Sequence, residues 1–341
     1  MLSSALSNLL DPAVLFFVLG TGVGLLRSNL EIPPAIAKFL TLYLLVALGL
    51  KGGSALAEGG LPADGIYAII AAIFMAALVP AVSFYILSRR INPFDSAAVA
   101  ATYGSISAVT FITTQQFLAD RAVEFGGYMT VAMVLMETPA ILMAVVLATA
   151  VRAKEAMQQQ AAETGTAPEE DDDFAPLSIR DVLQEALTDG AQLLLIGSLV
   201  IGYLAGPEGT AEMLPFTYDI FKGMLAFFLL EMGLLVGKQM SEGRAKIDKA
   251  LFAFAFVSPP VNAAIAILLA FWIGLGVGDA VLLAVLSASA SYIVVPAVAR
   301  YAIPEARPGI YFTMALGLTF PFNIIVGIPL YYAMVQMLWG M

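Results

Sequence analysis

Residues 95–118 read DSAAVAATYGSISAVTFITTQQFL, a run that is long enough to cross a bilayer but carries hydroxyl side chains and Gly104 at its middle. The polar centre recurs 184 residues later, where Asp95, Ser105 and Ser107 correspond to Asp279, Ser289 and Ser291. Small and hydroxyl residues at mid-membrane, with Pro296 close to the second centre, are typical of broken helices whose freed backbone groups line a cavity. We therefore predict two broken membrane helices that meet at the functional site.

The composition places the chain in a membrane. Of its 341 residues, 60% are hydrophobic and 12% are charged, which excludes a soluble domain of ordinary composition and predicts an all-α integral membrane protein. The chain has neither His nor Cys, so we expect no disulfide, no transition metal and no cofactor, and an enzyme is disfavoured. Much of the net charge of −10 comes from the acidic run 169–173, and we expect no nucleic-acid partner.

Apolar runs of roughly 17 to 25 residues mark membrane-spanning helices. Ten are predicted, in residues 12–27, 33–50, 65–88, 95–118, 127–151, 190–205, 217–237, 250–275, 279–300 and 309–338. The domains are then a first five-helix repeat (1–151), a linker (152–189) and a second five-helix repeat (190–341). We expect the Gln-rich first part of the linker to be disordered and residues 177–187 to form a short amphipathic helix. The N-terminus lacks the basic segment of a signal peptide, so the first run is predicted to be retained.

The distribution of basic residues predicts the orientation, since such residues concentrate on the cytoplasmic side. With the N-terminus outside, twelve lie on the cytoplasmic side and two, Lys51 and Arg121, on the other. The twelve are Arg27, Arg89, Arg90, Arg152, Lys154, Arg180, Lys238, Arg244, Lys246, Lys249, Arg300 and Arg307. We predict a multi-pass protein of the inner (plasma) membrane, with both termini outside and the linker in the cytoplasm.

The repeat extends beyond the polar centres. At the same offset of 184, Lys38 corresponds to Lys222 and Gly49-Leu50 to Gly233-Leu234, and two residues of slippage then align Pro139 with Pro321. Because each half has five predicted spans, an odd number, the second half must enter the membrane upside down relative to the first. Inverted repeats with broken helices that meet at the midplane are the architecture of secondary transporters.

The candidate substrate-binding residues lie at the two breaks: Gly104, Ser105, Ile106 and Ser107 in the first, and Ser289, Ala290, Ser291 and Tyr292 in the second. Small hydroxyl residues also serve simply to let membrane helices pack closely. Their recurrence at matched positions favours a site, in which half-helix N-termini present N–H groups and positive dipole ends to an anion.

Two carboxylates, Glu137 and Glu231, lie inside predicted spans, where an acid is a candidate functional group because burying its charge is costly. Glu137 precedes Pro139, and it is our candidate for a sodium ligand. The predicted oxygen ligands of Na⁺ are Ser107, Thr110, Glu137, Thr319 and Asn323. We expect Glu231 to hydrogen-bond between helices. Thr113 to Gln116 either line an entry path or cap the first broken helix.

The chain resembles the sodium-dependent bicarbonate permease family over nearly all of both halves. The resemblance depends on the order and spacing of four segments: Asp95 to Thr110, Met136-Glu-Thr-Pro-Ala140, Ala284 to Ser291 and Arg300-Tyr-Ala-Ile-Pro304. It implies ten helices in two inverted repeats, an elevator-type core moving against a scaffold, and a homotrimer. It also implies sodium symport of bicarbonate into the cytoplasm and, in some members, a PII-like regulator on the cytoplasmic face.

The chain departs from the family in two segments. The family's acid near Pro139 is typically Asp, where this chain has Glu137. In the second broken helix, an Asp is replaced by Tyr292, and small polar residues after it by Val294 and Val295. These changes leave open a sodium- or proton-coupled transporter of another small anion or carboxylate. From other classes, a receptor-like binding protein and an intramembrane enzyme are alternatives, and the absence of His, of Cys and of a Gly-rich phosphate loop argues against the enzyme.

Overall fold

The computed structural model describes residues 12–164, 190–242, 247–292 and 294–340, and this part of the chain is helical without a strand. In the first half, the helices are α1 (Pro12–Leu25), α2 (Pro34–Gly59), α3 (Ala63–Leu87), α4 (Pro93–Gly104), α5 (Ala108–Ala119) and α6 (Tyr128–Thr164). In the second half, they are α7 (Gly190–Thr210), α8 (Phe221–Glu242), α9 (Lys249–Ile273), α10 (Val277–Ala288), α11 (Val294–Ala302) and α12 (Pro308–Trp339). Within α12, Thr313–Thr319 and Asn323–Gly327 have π-helical hydrogen bonding.

The helices confirm that the chain is a membrane protein. Among the described residues, 8 helical segments are long and apolar enough to cross a bilayer, and α1 and α10 are shorter apolar helices. The segment Pro93–Ala119 is the most enclosed of the 8, with 94% of its apolar window buried inside the protein. Such burial of a hydroxyl-rich segment shows that its polar groups face other helices and not lipid.

Both predicted interruptions are present. In the first, α4 ends at Gly104, Ser105 is extended (φ −97°, ψ 178°), and α5 begins after Ser107. In the second, α10 ends at Ala288 and Ser289 is likewise extended (φ −84°, ψ 169°). A Cβ on Gly104 would lie 2.6 Å from the Pro80 ring of α3, so the glycine permits close helix packing at the break.

The helix α6 is longer than predicted. We expected a span that ends at residue 151, followed by a disordered Gln-rich stretch, but α6 continues to Thr164. The reason is local propensity, since residues 153–164 read AKEAMQQQAAET and consist mostly of strong helix formers. The rest of the linker, including the predicted amphipathic helix 177–187, lies outside the described residues.

The first two helices of each half pack against each other across the halves: α1 pairs with α8, and α2 pairs with α7. Glycines bring the backbones together in both pairs. A Cβ on Gly20 of α1 would lie 2.2 Å from the Leu230 carbonyl oxygen, and one on Gly53 of α2 would lie 2.1 Å from that of Leu199. Small residues four apart on facing helices are a recurrent means of tight association in membranes. We call α1, α2, α7 and α8 the four-helix group.

The remaining helices, α3 to α6 and α9 to α12, form what we call the eight-helix group, which contains both breaks. The two groups meet where α2 contacts α6 and where α8 contacts the π-helical segment Thr313–Thr319 of α12. Each contact joins the second helix of a half to the last helix of the same half. The breaks are therefore enclosed by one group and faced by the other.

Two buried carboxylates fasten the eight-helix group. Asp95, at the start of α4, accepts hydrogen bonds from the Arg307 backbone N–H (2.8 Å) and from its guanidinium (2.6 and 3.0 Å). Asp279, at the start of α10, accepts from the Gly126 N–H (2.7 Å) and from the Tyr128 hydroxyl (2.6 Å). Each carboxylate thus holds the start of the last helix in the opposite half.

Candidate functional site

The two breaks are joined directly by hydrogen bonds. The Ser107 N–H donates to the Ser289 hydroxyl (3.0 Å), and the Ser291 N–H donates to the Thr102 carbonyl (2.9 Å). Each bond runs from a break in one half to residues in the other half. The structure therefore brings the matched serines of the sequence repeat together at one place.

A cavity of about 80 Å³ opens at this junction. It is lined by residues of both breaks, of α5, of α6 and of the four-helix group: Thr41, Leu44, Leu45, Ile106, Ser107, Ala108, Val109, Ile112, Met133, Val134, Glu137, Leu195, Phe228, Ser291 and Tyr292. One water needs about 10–15 Å³ on this measure, so the cavity has room for a small solute. A mostly apolar wall with a few convergent polar groups is typical of a ligand site.

The predicted substrate residues divide into two sets. Ile106, Ser107, Ser291 and Tyr292 line the cavity. Gly104, Ser105, Ser289 and Ala290 are buried beside the breaks but do not form its wall. In the second set, Gly104 faces the Pro80 ring and the Ser289 hydroxyl bonds to Ser107, so these two residues shape the site from behind.

Two hydroxyls at the breaks are buried without a hydrogen-bond partner among the described residues, those of Ser105 and Tyr292. The Tyr292 hydroxyl lies near Ser107 but does not meet hydrogen-bond geometry with it, and the ring packs edge-on against Phe320 at 5.2 Å between centroids. Leaving a buried polar atom unpaired costs about 1–3 kcal/mol. A hydroxyl that is unpaired and lines a cavity is suited to bind a polar ligand there.

The N-terminal turn of α5 also faces the cavity, through Ala108 and Val109. The first intrahelical bond of this helix runs from the Phe111 N–H to the Ser107 carbonyl (3.0 Å), so the N–H groups before it have no intrahelical acceptor. Among the N–H groups that precede that of Phe111, the Thr110 N–H donates to the Ser107 hydroxyl (3.2 Å). The Ser107 hydroxyl also accepts a hydrogen bond from the Thr110 hydroxyl (2.9 Å). The amides and the positive end of the helix dipole together favour an anion in the cavity.

The five predicted sodium ligands are not all at the cavity. Glu137 is buried (7% exposed) and lines it together with Ser107, and Thr110 lies directly behind Ser107. Thr319 bonds instead to the Tyr103 hydroxyl and to the Ala255 carbonyl (3.1 Å). These contacts connect α12 with α4 and α9.

Asn323 is likewise engaged away from the cavity. Its amide N–H donates to the Ala288 carbonyl at the end of α10 (2.9 Å), and its amide oxygen accepts from the Tyr331 hydroxyl (2.8 Å). Asn323 therefore satisfies the last carbonyl of a broken helix, which otherwise has no partner within that helix. Both Thr319 and Asn323 lie in the π-helical segments of α12, a geometry that is frequent at functional sites.

The hydrogen bond between helices that was expected of Glu231 is not made by one of its two carboxylate oxygens. Its Oε2 atom is buried and makes no hydrogen bond with any described residue, although a helix-to-helix hydrogen bond was expected. Glu231 lies three residues after Phe228, which lines the cavity from α8, and it is within electrostatic range of Tyr292. Glu231 therefore belongs to the same helix of the four-helix group that contributes Phe228 to the cavity wall.

The wall that the four-helix group contributes was not predicted. Thr41, Leu44, Leu45, Leu195 and Phe228 close one side of the cavity. Apolar side chains in apolar helices carry no sequence signal of such a role, and Thr41, whose hydroxyl donates to the Ala37 carbonyl (3.1 Å), looks like any helix-facing threonine.

The chain matches a known protein family over most of its length. A family model described as the Na+-dependent bicarbonate transporter superfamily matches residues 12–336, which include every residue of the cavity. No curated protein matches the chain.

Proposed function

The chain belongs to the Na+-dependent bicarbonate transporter superfamily, and we propose that it is a secondary active transporter that couples bicarbonate uptake into the cytoplasm to sodium. The observation that carries the proposal is the composition of the cavity. Both breaks, the amides of α5 and the carboxylate of Glu137 meet in one small space. An anion and a cation can bind side by side there, which is what symport requires.

In this proposal, bicarbonate binds at the N-terminal turn of α5, where the Tyr292 hydroxyl, which lines the cavity, supplies a hydrogen bond that the protein leaves unmade. The sodium ion binds beside Glu137 and Ser107, and Thr110 supports Ser107 from behind. Thr319 and Asn323 hold α12 against α9 and α10. A Na⁺ bound there would balance the negative charge of the buried Glu137 carboxylate.

We further propose that the chain forms ten spans in two inverted five-helix repeats and that the eight-helix group moves as an elevator against the four-helix group. The reciprocal pairing of α1 with α8 and α2 with α7 supports the inverted relation. The limited contact between the groups supports relative motion, with the cavity wall from the four-helix group acting as a fixed gate. The four-helix group is also the proposed contact surface of a homotrimer in the inner membrane, with the termini outside.

One observation favours an alternative, proton-coupled transport of a small anion or carboxylate. Glu231 has a buried oxygen without a hydrogen-bond partner among the described residues and lies near Tyr292. An acid buried in the membrane could bind and release the coupling proton, and a proton would then replace Na⁺ as the coupling ion. Glu231 belongs to the four-helix group, which is static in this proposal, whereas the second break belongs to the moving eight-helix group.

The test is counterflow uptake of labelled bicarbonate into proteoliposomes, with and without a sodium gradient, in the wild type and in Glu137→Gln. The proposal expects uptake that depends on sodium and is lost in the variant. Uptake that follows a pH gradient in sodium-free buffer would support the alternative. Binding of bicarbonate without any uptake would indicate a receptor-like protein and would contradict both.

A further inference from the structure

An ion pair joins the two helix groups at one end of the molecule. The Lys222 ammonium, at the start of α8 in the four-helix group, lies 2.7 Å from a carboxylate oxygen of Asp120, which follows α5 in the eight-helix group. The other oxygen of Asp120 accepts a hydrogen bond from the Gln116 side chain (2.8 Å), one turn earlier in the chain. Asp120 is therefore held in place by its own group and pairs with a cation of the other.

A cavity of about 310 Å³ lies beside this pair, between the groups. Ala13, Val14 and Leu225 form its wall on the four-helix side. On the other side it is lined by Thr113, Gln116, Phe117, Asp120, Arg121, Ile324, Ile328 and Pro329. Because the groups are separated by open space here, the ion pair is a contact across a loosely packed seam and not part of a packed core.

At the opposite end of the molecule, the corresponding lysine and acid, Lys38 and Glu305, are not paired with each other. Lys38, which corresponds to Lys222 at the offset of 184, is exposed at the start of α2 and makes no ion pair within the described part of the chain. Glu305 lies in the loop after α11, as Asp120 lies after α5. Arg152 of α6 binds both oxygens of Glu305 at 2.8 Å, so this acid is held inside its own group.

We propose that these charges form two alternating latches: Lys222 binds Asp120 in the conformation seen here, and Lys38 binds Glu305 when the eight-helix group moves to the opposite end of its path. The inference rests on the proposed function, because it requires a moving eight-helix group. Each latch joins a lysine on the second helix of one half to an acid after the second broken half-helix of the other. The repeat in the sequence thus supplies one latch for each end of the motion.

Gln116 and Arg152 make the exchange reversible. Each holds its acid while the latch is open, so neither carboxylate is left unpaired when the lysine departs. The Arg152 side chain also lowers the pKa of Glu305, which keeps this acid ionised and ready for Lys38 at neutral pH. A solvent-exposed ion pair shifts an equilibrium by only about two- to fivefold, so two latches of this strength can alternate without trapping either state.

The first experiment compares the two ends by charge removal. We expect Lys222→Gln and Asp120→Asn to shift the balance of conformations away from the present one by about two- to fivefold, and Lys38→Gln to shift it in the opposite direction. The reversed double variant Lys222→Asp with Asp120→Lys should restore the wild-type balance. The matched control is Lys154→Gln, which removes an exposed charge of the eight-helix group that forms no ion pair in the described part of the chain.

The balance is measured by cross-linking, for which the absence of cysteine in the chain gives a background-free starting point. Two double variants, Lys222→Cys with Asp120→Cys and Lys38→Cys with Glu305→Cys, are treated in membranes with a short bismaleimide. Each charge variant is combined with the cysteine pair at the other end of the molecule. Sodium and bicarbonate should change the two yields in opposite directions. Yields that rise and fall together, or a Lys38–Glu305 cross-link that never forms in a protein with normal uptake, would overturn the latches while leaving transport intact. Opposed yields without uptake would keep the latches and contradict the proposed function.

Discussion

Asp95 and Asp279, which lie 184 residues apart, each bind residues of the half of the chain to which they do not belong. Asp95 belongs to the first half and holds Arg307 before α12, whereas Asp279 belongs to the second half and holds Gly126 and Tyr128 at the start of α6. A repeated residue therefore has a repeated role, with the two halves exchanging partners. Each broken helix is positioned by the half to which it does not belong.

Removal of the Asp279 charge should destabilise the protein. Asp279→Asn weakens two hydrogen bonds to a buried carboxylate, and bonds of this type are worth about 1.5–3 kcal/mol each. Tyr128→Phe removes one of the two, so it should cost less. Thermal unfolding in mild detergent measures both, and an Asp279→Asn protein as stable as the wild type would contradict the assigned role.

Tyr292→Phe should separate binding from stability. The hydroxyl has no hydrogen-bond partner among the described residues, so its loss should leave the unfolding temperature unchanged. If the hydroxyl donates to the substrate, KM for bicarbonate should rise about fivefold, which corresponds to one hydrogen bond of about 1 kcal/mol. A variant with a lower unfolding temperature and an unchanged KM would show a structural role instead.

Glu137→Gln should abolish sodium stimulation of uptake, because the amide keeps the size and hydrogen bonding of the side chain and removes its charge. The matched control on the same helix is Glu155→Gln, beyond the cavity near the end of the apolar part of α6. Sodium titrations of uptake in proteoliposomes give the result. Wild-type sodium dependence in Glu137→Gln would move the coupling site elsewhere, with Glu231 the next acid to replace.

Two glycines of α1 should respond differently to alanine. A Cβ on Gly20 would lie 2.2 Å from the Leu230 carbonyl, whereas a Cβ on Gly22 meets nothing within 4 Å. We expect Gly20→Ala to destabilise the protein by about 1–3 kcal/mol through overpacking. Gly22→Ala should stabilise it by about 0.5–1 kcal/mol, because glycine is a poor helix former. Equal effects on thermal unfolding would contradict the close contact of α1 with α8.

The pair of Arg152 and Glu305 should add stability that depends on pH. The Arg152 hydrogen bonds lower the pKa of Glu305 from its ordinary value of 4.5. A group with a lowered pKa in the folded state stabilises the protein above its unfolded-state pKa, and that stability is lost as pH falls through the folded value. Unfolding temperatures of the wild type should therefore fall more steeply below about pH 4.5 than those of Glu305→Gln. Parallel curves would show that the pair does not contribute.

Much of the fold could be predicted because the signals were periodic and repeated. Hydropathy located the apolar helices, and the recurrence of Ser105 and Ser107 at Ser289 and Ser291 located both breaks. The extent of α6 was missed because the end of the apolar run at 151 was taken as the end of the helix. The helix continues to Thr164 because the residues after 151 have high helix propensity, which does not depend on a membrane.

The site was predicted less completely, since a sequence gives the spacing of polar residues but not the direction in which they point. Glu137 and Ser107 lie at the cavity, whereas the amide oxygen and the amide N–H of Asn323 are engaged by Tyr331 and Ala288. Gly104 was expected beside the substrate and faces Pro80. A bulky residue at Gly104 would therefore report on helix packing before it reported on binding.

The exchange of partners between the halves also constrains how the protein is made. During synthesis, α1 and α2 enter the membrane long before α8 and α7, so their glycine surfaces must wait in lipid until the second half arrives. In the first half produced alone, α1 and α2 lack their partners α8 and α7, and in the second half alone α7 and α8 lack α2 and α1. The pairing of α1 with α8 and of α2 with α7 is therefore completed only after the second half has been inserted, and two halves expressed from separate messages should recover a folded protein only when they are made together.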